Sequence, residues 1–332
     1  MKSIGFGRIC VLALLVAFVL GSATIPALAQ NLPYGTSSTR IVPDPLAASI
    51  TPSATFSGAY YATGGVALRN RLTGNISVTG ATGTVKAAYL YWAVITSGKT
   101  PPSTSSMIVL NLNTLAVLPL VLGTPVGSSS PPCWPGNFIT VFKAALPLSF
   151  VSPNSGNNSY QVTPLFPAPS LTGGQDPWAV ALPVPPLYEG ASIVVIGTGT
   201  GKVDLFDAGY GGNTFTAPLS YSLTLSSSSQ VLRWDNIGAD GQLGTSVTAD
   251  VSTSGETTTI NGVPIAGDSA NDPNSDWDGS SGWPLPQLWD DTGHDITAVG
   301  KTGTLNVAFG LNPLYTSGGL DCLTTVANVV LH

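Results

Sequence analysis

Short apolar runs alternate with turn-forming residues along most of the chain. Gly, Pro, Ser and Thr interrupt the sequence roughly every eight to twelve residues, and β-branched and aromatic residues fill the runs between them. Within 305–309, apolar side chains alternate with small or polar ones, which is the period of a half-buried strand. Strands are predicted at 85–95, 106–112, 137–142, 191–197, 202–208 and 305–310. These runs predict an all-β protein, a β-sandwich of jelly-roll or Ig-like type with long loops and few short helical turns.

Helical patterns are short in this sequence. The two best candidates, residues 287–291 and 295–299, are long enough for a turn or so each. Pro-rich stretches at 119–135 and 164–186 are expected to be irregular connections, because apolar strands resume on both sides of each stretch.

The N-terminus has the organisation of a secretory signal peptide. Lys2 and Arg8 form a basic region, an apolar stretch follows, and Ala27-Leu28-Ala29 is an A-x-A cleavage site. An uncleaved membrane anchor is the alternative, but the apolar stretch is short for a span. We therefore expect a secreted, cell-surface or periplasmic protein with no transmembrane span after cleavage. The predicted organisation is a signal peptide, an extended N-terminal segment and one large β-sandwich domain, at residues 1–29, 30–52 and 53–332.

Two of the three cysteines remain after Cys10 leaves with the signal peptide. In an exported chain, Cys133 and Cys322 are predicted to form one disulfide. Closing a loop of about 190 residues would stabilise the folded state by about 5 kcal/mol at most. Two free thiols are the alternative.

Acidic residues are concentrated in the C-terminal half. Only three of the seventeen precede Lys202, and the other fourteen lie between Asp204 and Asp321, opposed there by Arg233 and Lys301. This charge repels phosphate backbones and disfavours nucleic acid as a partner. Uncharged polar residues at exposed strand positions leave sheet edges poorly guarded against edge-to-edge pairing, so self-assembly into a layer or fibre is one hypothesis.

Six segments occur in an order that resembles a known family. They read VKAAYLYWA at 85–93, GASIVVI at 190–196, DLFDAG at 204–209, ADGQ at 239–242, LWDDTGHDIT at 288–297 and DCLTTVANVVL at 321–331. Together they resemble exported bacterial and archaeal surface proteins of the domain of unknown function 3344 type, over roughly residues 55–331. The resemblance implies an extracellular β-sandwich with no assigned activity and no catalytic residues to carry over.

Three motifs imitate catalytic or nucleotide sites. IGTGTGK at 196–202 imitates a phosphate-binding loop, but a strand pattern follows Lys202, so a Gly-rich hairpin turn is predicted. Ser269 in a Gly-Asp-Ser triplet and His294 in Asp-x-x-His imitate an esterase, but the chain lacks the alternating βα pattern of that fold. Because the other histidine is the C-terminal His332, any His-based mechanism is expected to use His294. No pair of carboxylates is singled out for glycosidase chemistry, and no catalytic residue is predicted.

The stretch GDSANDPNSDWDG at 267–279 imitates the first half of a calcium loop. Side-chain oxygens alternate before Gly279 at Asp272, Asn274, Asp276 and Asp278. An EF-hand is rejected, because Leu285 stands where its closing glutamate should be. One interpretation is a calcium site of another type, completed by a distant carboxylate such as Asp240, Asp290 or Asp295. The other is a solvated run of Asx turns without metal.

Four of the seven tryptophans lie in the same acidic region. Trp277, Trp283 and Trp289 are candidates for a sugar-stacking platform. The alternative is that these indoles and Trp234 pack beneath long loops. The function predicted is a secreted or cell-surface structural or adhesive protein that acts by binding or assembly. A carbohydrate-binding or carbohydrate-active protein using residues 234–295 is the alternative, which requires the tryptophans to line an open groove.

Overall fold

The chain is described here from a computed structural model. It covers residues 49–69, 71, 73–112, 120–130, 136–165, 186–207, 214–215, 218–239, 256–267, 276–279, 281, 289–311 and 322–332. All of them fall within one compact unit, residues 34–332. The predicted signal peptide lies outside the described residues and stays a prediction.

Strands make up most of the described chain. They are Ser49–Ile50 (β1), Ala54–Ala67 (β2), Gly74–Ser77 (β3), Val85–Thr96 (β4), Met107–Leu112 (β5), Leu120–Leu122 (β6), Thr124–Ser129 (β7), Phe138–Ala145 (β8), Ser159–Pro164 (β9), Leu187–Asp207 (β10), Thr214–Phe215 (β11), Leu219–Thr224 (β12), Arg233–Ala239 (β13), Glu256–Ile260 (β14), Val263–Ala266 (β15), Trp289–Asp295 (β16), Thr304–Leu311 (β17) and Leu323–Leu331 (β18). The short helical elements are the α-helix Leu148–Val151 (α1) and the 3₁₀ turns Ser103–Ser106 and Pro153–Gly156. The all-β prediction with few short helical turns is confirmed.

The strands form three sheets. The largest has nine strands in the order β16-β13-β18-β10-β4-β8-β7, with β2 also paired to β10 and β11 to β18. A four-stranded sheet has the order β3-β9-β5-β6, and a five-stranded sheet has the order β1-β12-β17-β14-β15. Strand β10 joins the two halves of the large sheet, because its first part pairs with β4 and its last part with β18.

Apolar side chains fill the space between these sheets. One cluster contains Ile76, Leu110 and Tyr160 of the four-stranded sheet together with Trp92 and Ile193 of the large sheet. A second joins the five-stranded sheet to β13 and β18, through residues that include Tyr221, Phe309, Trp234 and Val330. A third, on the opposite face of the large sheet, includes Tyr61, Val194, Leu205 and Trp289. The result is a sandwich-like packing of sheets, in which each small sheet covers one half of the large one.

Three local predictions are wrong. Strands β6 and β7 lie within residues 119–135, where an irregular connection was predicted. Residues 196–202 do not form a hairpin turn, since β10 runs through them with irregular pairing to β2 between Thr198 and Lys202. Glycine is required inside this strand at Gly197, where a Cβ would lie 2.1 Å from the carbonyl oxygen of Thr82. The helical turn predicted at 287–291 is wrong over its described part, because residues 289–295 belong to β16. At 295–299 the chain makes a single turn, in which the N–H groups of Val299 and Gly300 both donate to the carbonyl oxygen of Ile296.

Candidate functional site

The end of the Asp-rich stretch, residues 276–279, packs onto the paired strands β13 and β16. Asp276, Trp277 and Gly279 are buried there. The Trp277 ring takes the space of the missing side chain at Gly238, where a Cβ would lie 2.4 Å from Trp277 Cζ3. Trp277 also meets Phe309 edge-on, with ring centroids 5.0 Å apart. The indole therefore fixes the two flanking aspartates against the sheet.

Asp276 is bound by two side chains of β16. The Thr292 hydroxyl donates to Asp276 Oδ1 at 2.6 Å, and His294 Nε2 lies 2.6 Å from the same oxygen. The His294 ring stacks on buried Trp234, with centroids 5.9 Å apart. Burial lowers the pKa of His294, but its hydrogen bond to Asp276 and the negative charge of Asp276 outweigh burial and raise it above its ordinary value.

Asp290 lies next to Asp278 on the same side of β16. It is fully buried, and the backbone N–H of Gly279 donates to its Oδ1 at 2.7 Å. Burial raises the pKa of Asp290 well above its usual range, and the charge of Asp278 and a hydrogen bond between the two carboxyl groups raise it further. Asp276 adds a smaller repulsion. Three aspartates, Asp276, Asp278 and Asp290, therefore lie close enough to influence one another.

Asn236 of β13 lies on the same face. It pairs in register with Thr292 of β16 and with Asn328 of β18, and side chains of directly paired residues project from one face of a sheet. Asn236 is fully buried, and neither its Oδ1 nor its Nδ2 has a hydrogen-bond partner. We call the group formed by Asn236, Asp276, Asp278, Asp290, Thr292 and His294 the Asp290 cluster.

A second acidic group occupies the opposite face of β13 and β16. Asp235 accepts hydrogen bonds from the Tyr61 hydroxyl at 2.7 Å and from Arg233 Nε at 2.8 Å, which compensate its charge. Burial raises the pKa of Asp291 to about 7, opposed by the hydroxyls of Thr63 and Ser192. This group includes its own arginine, whereas the Asp290 cluster has only His294.

The predicted sugar platform is wrong for the two tryptophans that the structure describes. Trp277 and Trp289 are both fully buried, and Trp289 Nε1 donates to Ser192 Oγ at 3.0 Å inside the core. Trp234 is fully buried as well. These rings present no face to a sugar, because they fill the gaps beside glycines and under the loop. Trp283 lies outside the described residues.

The predicted metal ligands are only partly described. Asp272, Asn274 and the candidate Asp240 lie outside the described residues. Asp290 is brought to Asp278, while Asp295 is exposed and accepts hydrogen bonds from Thr297. Among the residues that the structure describes, no three His, Cys, Asp or Glu side chains form a ready metal-binding group.

A hydroxyl, an imidazole and a carboxylate meet at the C-terminus, which the sequence did not indicate. His332 Nδ1 lies 2.9 Å from Ser227 Oγ, and His332 Nε2 lies 3.0 Å from Asp204 Oδ2. The Ser-His-Asp arrangement contains His332 and not His294, and the expectation that any His-based mechanism would use His294 stays a prediction. Ser269 of the esterase-like triplet lies outside the described residues.

Several observations favour a structural role for this arrangement. The His332 side chain is fully buried, and its backbone exchanges two hydrogen bonds with Lys202, which fastens the end of the chain to β10. Asp204 also accepts from Thr55 Oγ1 and from the backbone and hydroxyl of Ser226, at 2.6–2.8 Å. Burial raises the pKa of Asp204, but these hydrogen bonds and that of His332 outweigh burial and lower it to about 2. We call Asp204, Ser226, Ser227 and His332 the C-terminal latch.

Cys322 is buried immediately before β18, and Cys133 lies outside the described residues. The Cys133–Cys322 disulfide stays a prediction. Thiol titration of the denatured mature protein, with and without reductant, checks it: the disulfide requires thiols to appear only after reduction.

One surface pocket is lined by residues between Ser77 and Ser159, which precede all of these groups except Tyr61, Thr63 and Thr55 in the sequence. Its volume is about 340 Å³, and uncharged residues line it, among them Asn154, Asn157, Asn158 and Ser159. It contains no acid, base or aromatic ring. Within the described part of the chain, no helix is long and apolar enough to span a membrane.

Comparisons with known proteins add little. No family model and no curated protein matches the chain. A crystal structure of peptide-N(4)-(N-acetyl-β-D-glucosaminyl)asparagine amidase matches at 10% identity and a TM-score of 0.24, over 82% of this chain and 96% of that chain. The ANX2 ectodomain from Arabidopsis thaliana matches at 11% identity and a TM-score of 0.25, over 82% of each chain. Structural similarities this weak do not indicate a function for this chain. The resemblance to domain of unknown function 3344 stays a prediction.

Proposed function

We propose that this protein is an exported structural or adhesive protein that acts by contact, through the edge of its four-stranded sheet. The observation that carries the proposal is strand β6. It ends the order of that sheet and pairs only with β5 among the described strands. Leu120 and Leu122 on this strand are 48% and 62% exposed. An exposed edge with apolar side chains is a template for pairing with another strand.

Strand β6 has neither a charge nor a proline among its own residues, although Pro119 directly precedes it. The sequence contains no charged residue between Lys99 and Lys143. Soluble β proteins commonly block free edges with lysine, with proline or with inward-pointing charges. The next strand, β7, has Pro125 in its ladder and is a poorer template, because proline has no N–H to donate. Strand β6 is therefore the better candidate for contact.

The occupant that we propose for β6 is the β6 strand of a second copy. The full chain has a formal net charge of −6, so two copies repel one another over most orientations. This repulsion is smallest when two copies approach through neutral surfaces. Strand β6 belongs to a neutral part of the chain, because the acidic residues lie mainly after Lys202. Antiparallel pairing of identical strands about a twofold axis satisfies the free edge of both copies.

The carbohydrate alternative has less support. It depended on exposed indoles in residues 234–295, and Trp234, Trp277 and Trp289 are buried. We assign no catalytic residue. The histidines found beside carboxylates are each explained by packing and hydrogen bonding within the fold.

Sedimentation velocity of the mature protein over a concentration series tests the proposal. We expect wild type to associate as concentration rises, and Leu122→Lys to stay monomeric, because each copy would then bring a charge to the paired edge. Leu148→Lys is the matched control: Leu148 is 45% exposed but lies on α1, outside any sheet, so this variant should associate like wild type. A monomeric wild type at every concentration, or equal association of Leu122→Lys, would refute the proposal.

A further inference from the structure

We propose that Met107 is an oxidation-sensitive site that controls the contact through β6: its conversion to the sulfoxide weakens the pairing of two copies. This inference rests on the proposed contact and adds its regulation. The observations that carry it are the register between β5 and β6, the outward face of that strand pair and the position of Met107 on it.

Met107 lies on the outer face of the strand pair at the free edge of the four-stranded sheet. It pairs directly with Leu122 of β6, and Val109 pairs with Leu120. Directly paired residues project from the same face of a sheet. Burial alternates along β5, so that Ile108 belongs to the core while Met107 and Val109 are partly exposed. Met107 therefore lies beside the exposed Leu122, on the face turned away from the core.

Antiparallel pairing of β6 with a second copy would extend this face across the twofold axis. A pairing centred on Val121 places Leu122 of one copy opposite Leu120 of the other. Each row of outward side chains across the four strands then contains Met107 and Leu122 of one copy, followed by Leu120 and Val109 of the second copy. Because long side chains reach their direct and diagonal neighbours on a sheet, an apolar side chain at Met107 supports the contact.

Oxidation changes Met107 from an apolar to a polar residue. Hydrogen peroxide transfers one oxygen atom to the thioether sulfur, so that the sulfur is oxidised by two electrons to the sulfoxide and the peroxide is reduced to water. The sulfoxide oxygen accepts hydrogen bonds from water. Covering it beside leucines costs free energy, because no donor of the second copy replaces that water.

Met107 is the one methionine expected in the mature protein. The sequence contains two, and Met1 belongs to the predicted signal peptide. Met107 is partly exposed, so peroxide in the solvent has access to it. Methionine sulfoxide reductases restore the thioether, which makes the modification reversible. A reversible loss of apolar character at this position would regulate assembly outside the cell.

Sedimentation velocity of the mature protein before and after limited peroxide treatment tests the proposal, with peptide mass spectrometry to locate one added oxygen atom on Met107. We expect oxidation to weaken association by about 10-fold or more, because each dimer then covers two sulfoxides. Treating the oxidised protein with methionine sulfoxide reductases and a thiol reductant should restore the original association.

Two variants separate the effect of Met107 from oxidation elsewhere. Met107→Gln imitates the polar sulfoxide and should associate weakly without peroxide. Met107→Leu is the matched control: it is apolar and has no sulfur, so it should associate like untreated wild type both before and after peroxide. Thermal unfolding at a concentration where each protein is monomeric checks that both variants keep the fold.

The outcomes distinguish this inference from the contact on which it rests. Association at full strength by oxidised wild type or by Met107→Gln would overturn the role of Met107 and leave the contact on β6 intact. Equal weakening of Met107→Leu by peroxide would overturn it as well. A wild type that is monomeric before any oxidation would refute the contact itself, and this inference with it.

Discussion

The C-terminal latch makes a prediction about acid stability that can be worked out in numbers. The pKa of Asp204 is about 2 in the folded protein, against an ordinary value of 3.8. One pKa unit corresponds to about 1.36 kcal/mol, so ionised Asp204 contributes about 2 kcal/mol to the free energy of unfolding near neutral pH. Because the folded pKa is depressed, this contribution is present above pH 3.8 and is lost as the pH falls through 2.

The substitution Asp204→Asn removes the titrating group and replaces one accepting oxygen by a donor. At pH 5 we expect it to lower the free energy of unfolding by about 2–4 kcal/mol, since Asp204 accepts four hydrogen bonds from buried or part-buried groups. Between pH 5 and pH 3, wild type should lose about 1 kcal/mol through Asp204 that the variant cannot lose. The difference between the two proteins should therefore shrink by that amount.

Urea denaturation of both proteins at pH 5 and pH 3 measures this difference. Other carboxylates titrate in both proteins, and their effects cancel in the comparison. Exposed Asp295 provides a control, because Asp295→Asn should have a much smaller effect at either pH. If the gap between wild type and Asp204→Asn is the same at both pH values, the hydrogen bonds of the latch do not depress the pKa of Asp204.

Two further predictions concern packing and the role of the latch. Gly238→Ala should lower the free energy of unfolding by about 1–3 kcal/mol in urea denaturation, because its methyl group would overlap the Trp277 ring. Gly98→Ala is the control and should leave the stability unchanged, because no described atom lies nearer than 4.0 Å to the added methyl group. Equal stability of the two variants would contradict the packing described for Trp277. A fluorophosphonate probe should not label the mature protein, because Ser227 and His332 act as structural partners; labelling that Ser227→Ala abolishes would assign them a catalytic role instead.

The sequence was sufficient to predict several of the strands but not how they join. Alternation and turn residues located the strands around 85–95, 106–112 and 305–310, because those signals are local. The continuity of β10 was missed, since a Gly-rich stretch is equally compatible with a turn. Whether it bends or continues is decided by close approach of other strands, as at Gly197 beside Thr82.

Some residues of the candidate sites could likewise be predicted from the sequence, and others could not. The alternation of Asp276 and Asp278 was visible, and Asp290 was among the carboxylates considered as a partner. Asn236 could not be predicted as part of this group, because the neighbours of a single amide in a strand depend on how the strands pair. The latch was missed because His332 lies 105 residues from Ser227 and 128 from Asp204, a proximity that no local pattern encodes.

The most direct test of the central claim is backbone hydrogen exchange at β6 as a function of protein concentration. If two copies pair through this edge, the N–H groups of Leu120–Leu122 that face away from β5 become slow to exchange as concentration rises. The account predicts this gain in protection in wild type and its loss in Leu122→Lys. Protection that stays constant at β6 while the protein associates, or that rises at another strand instead, would contradict the account.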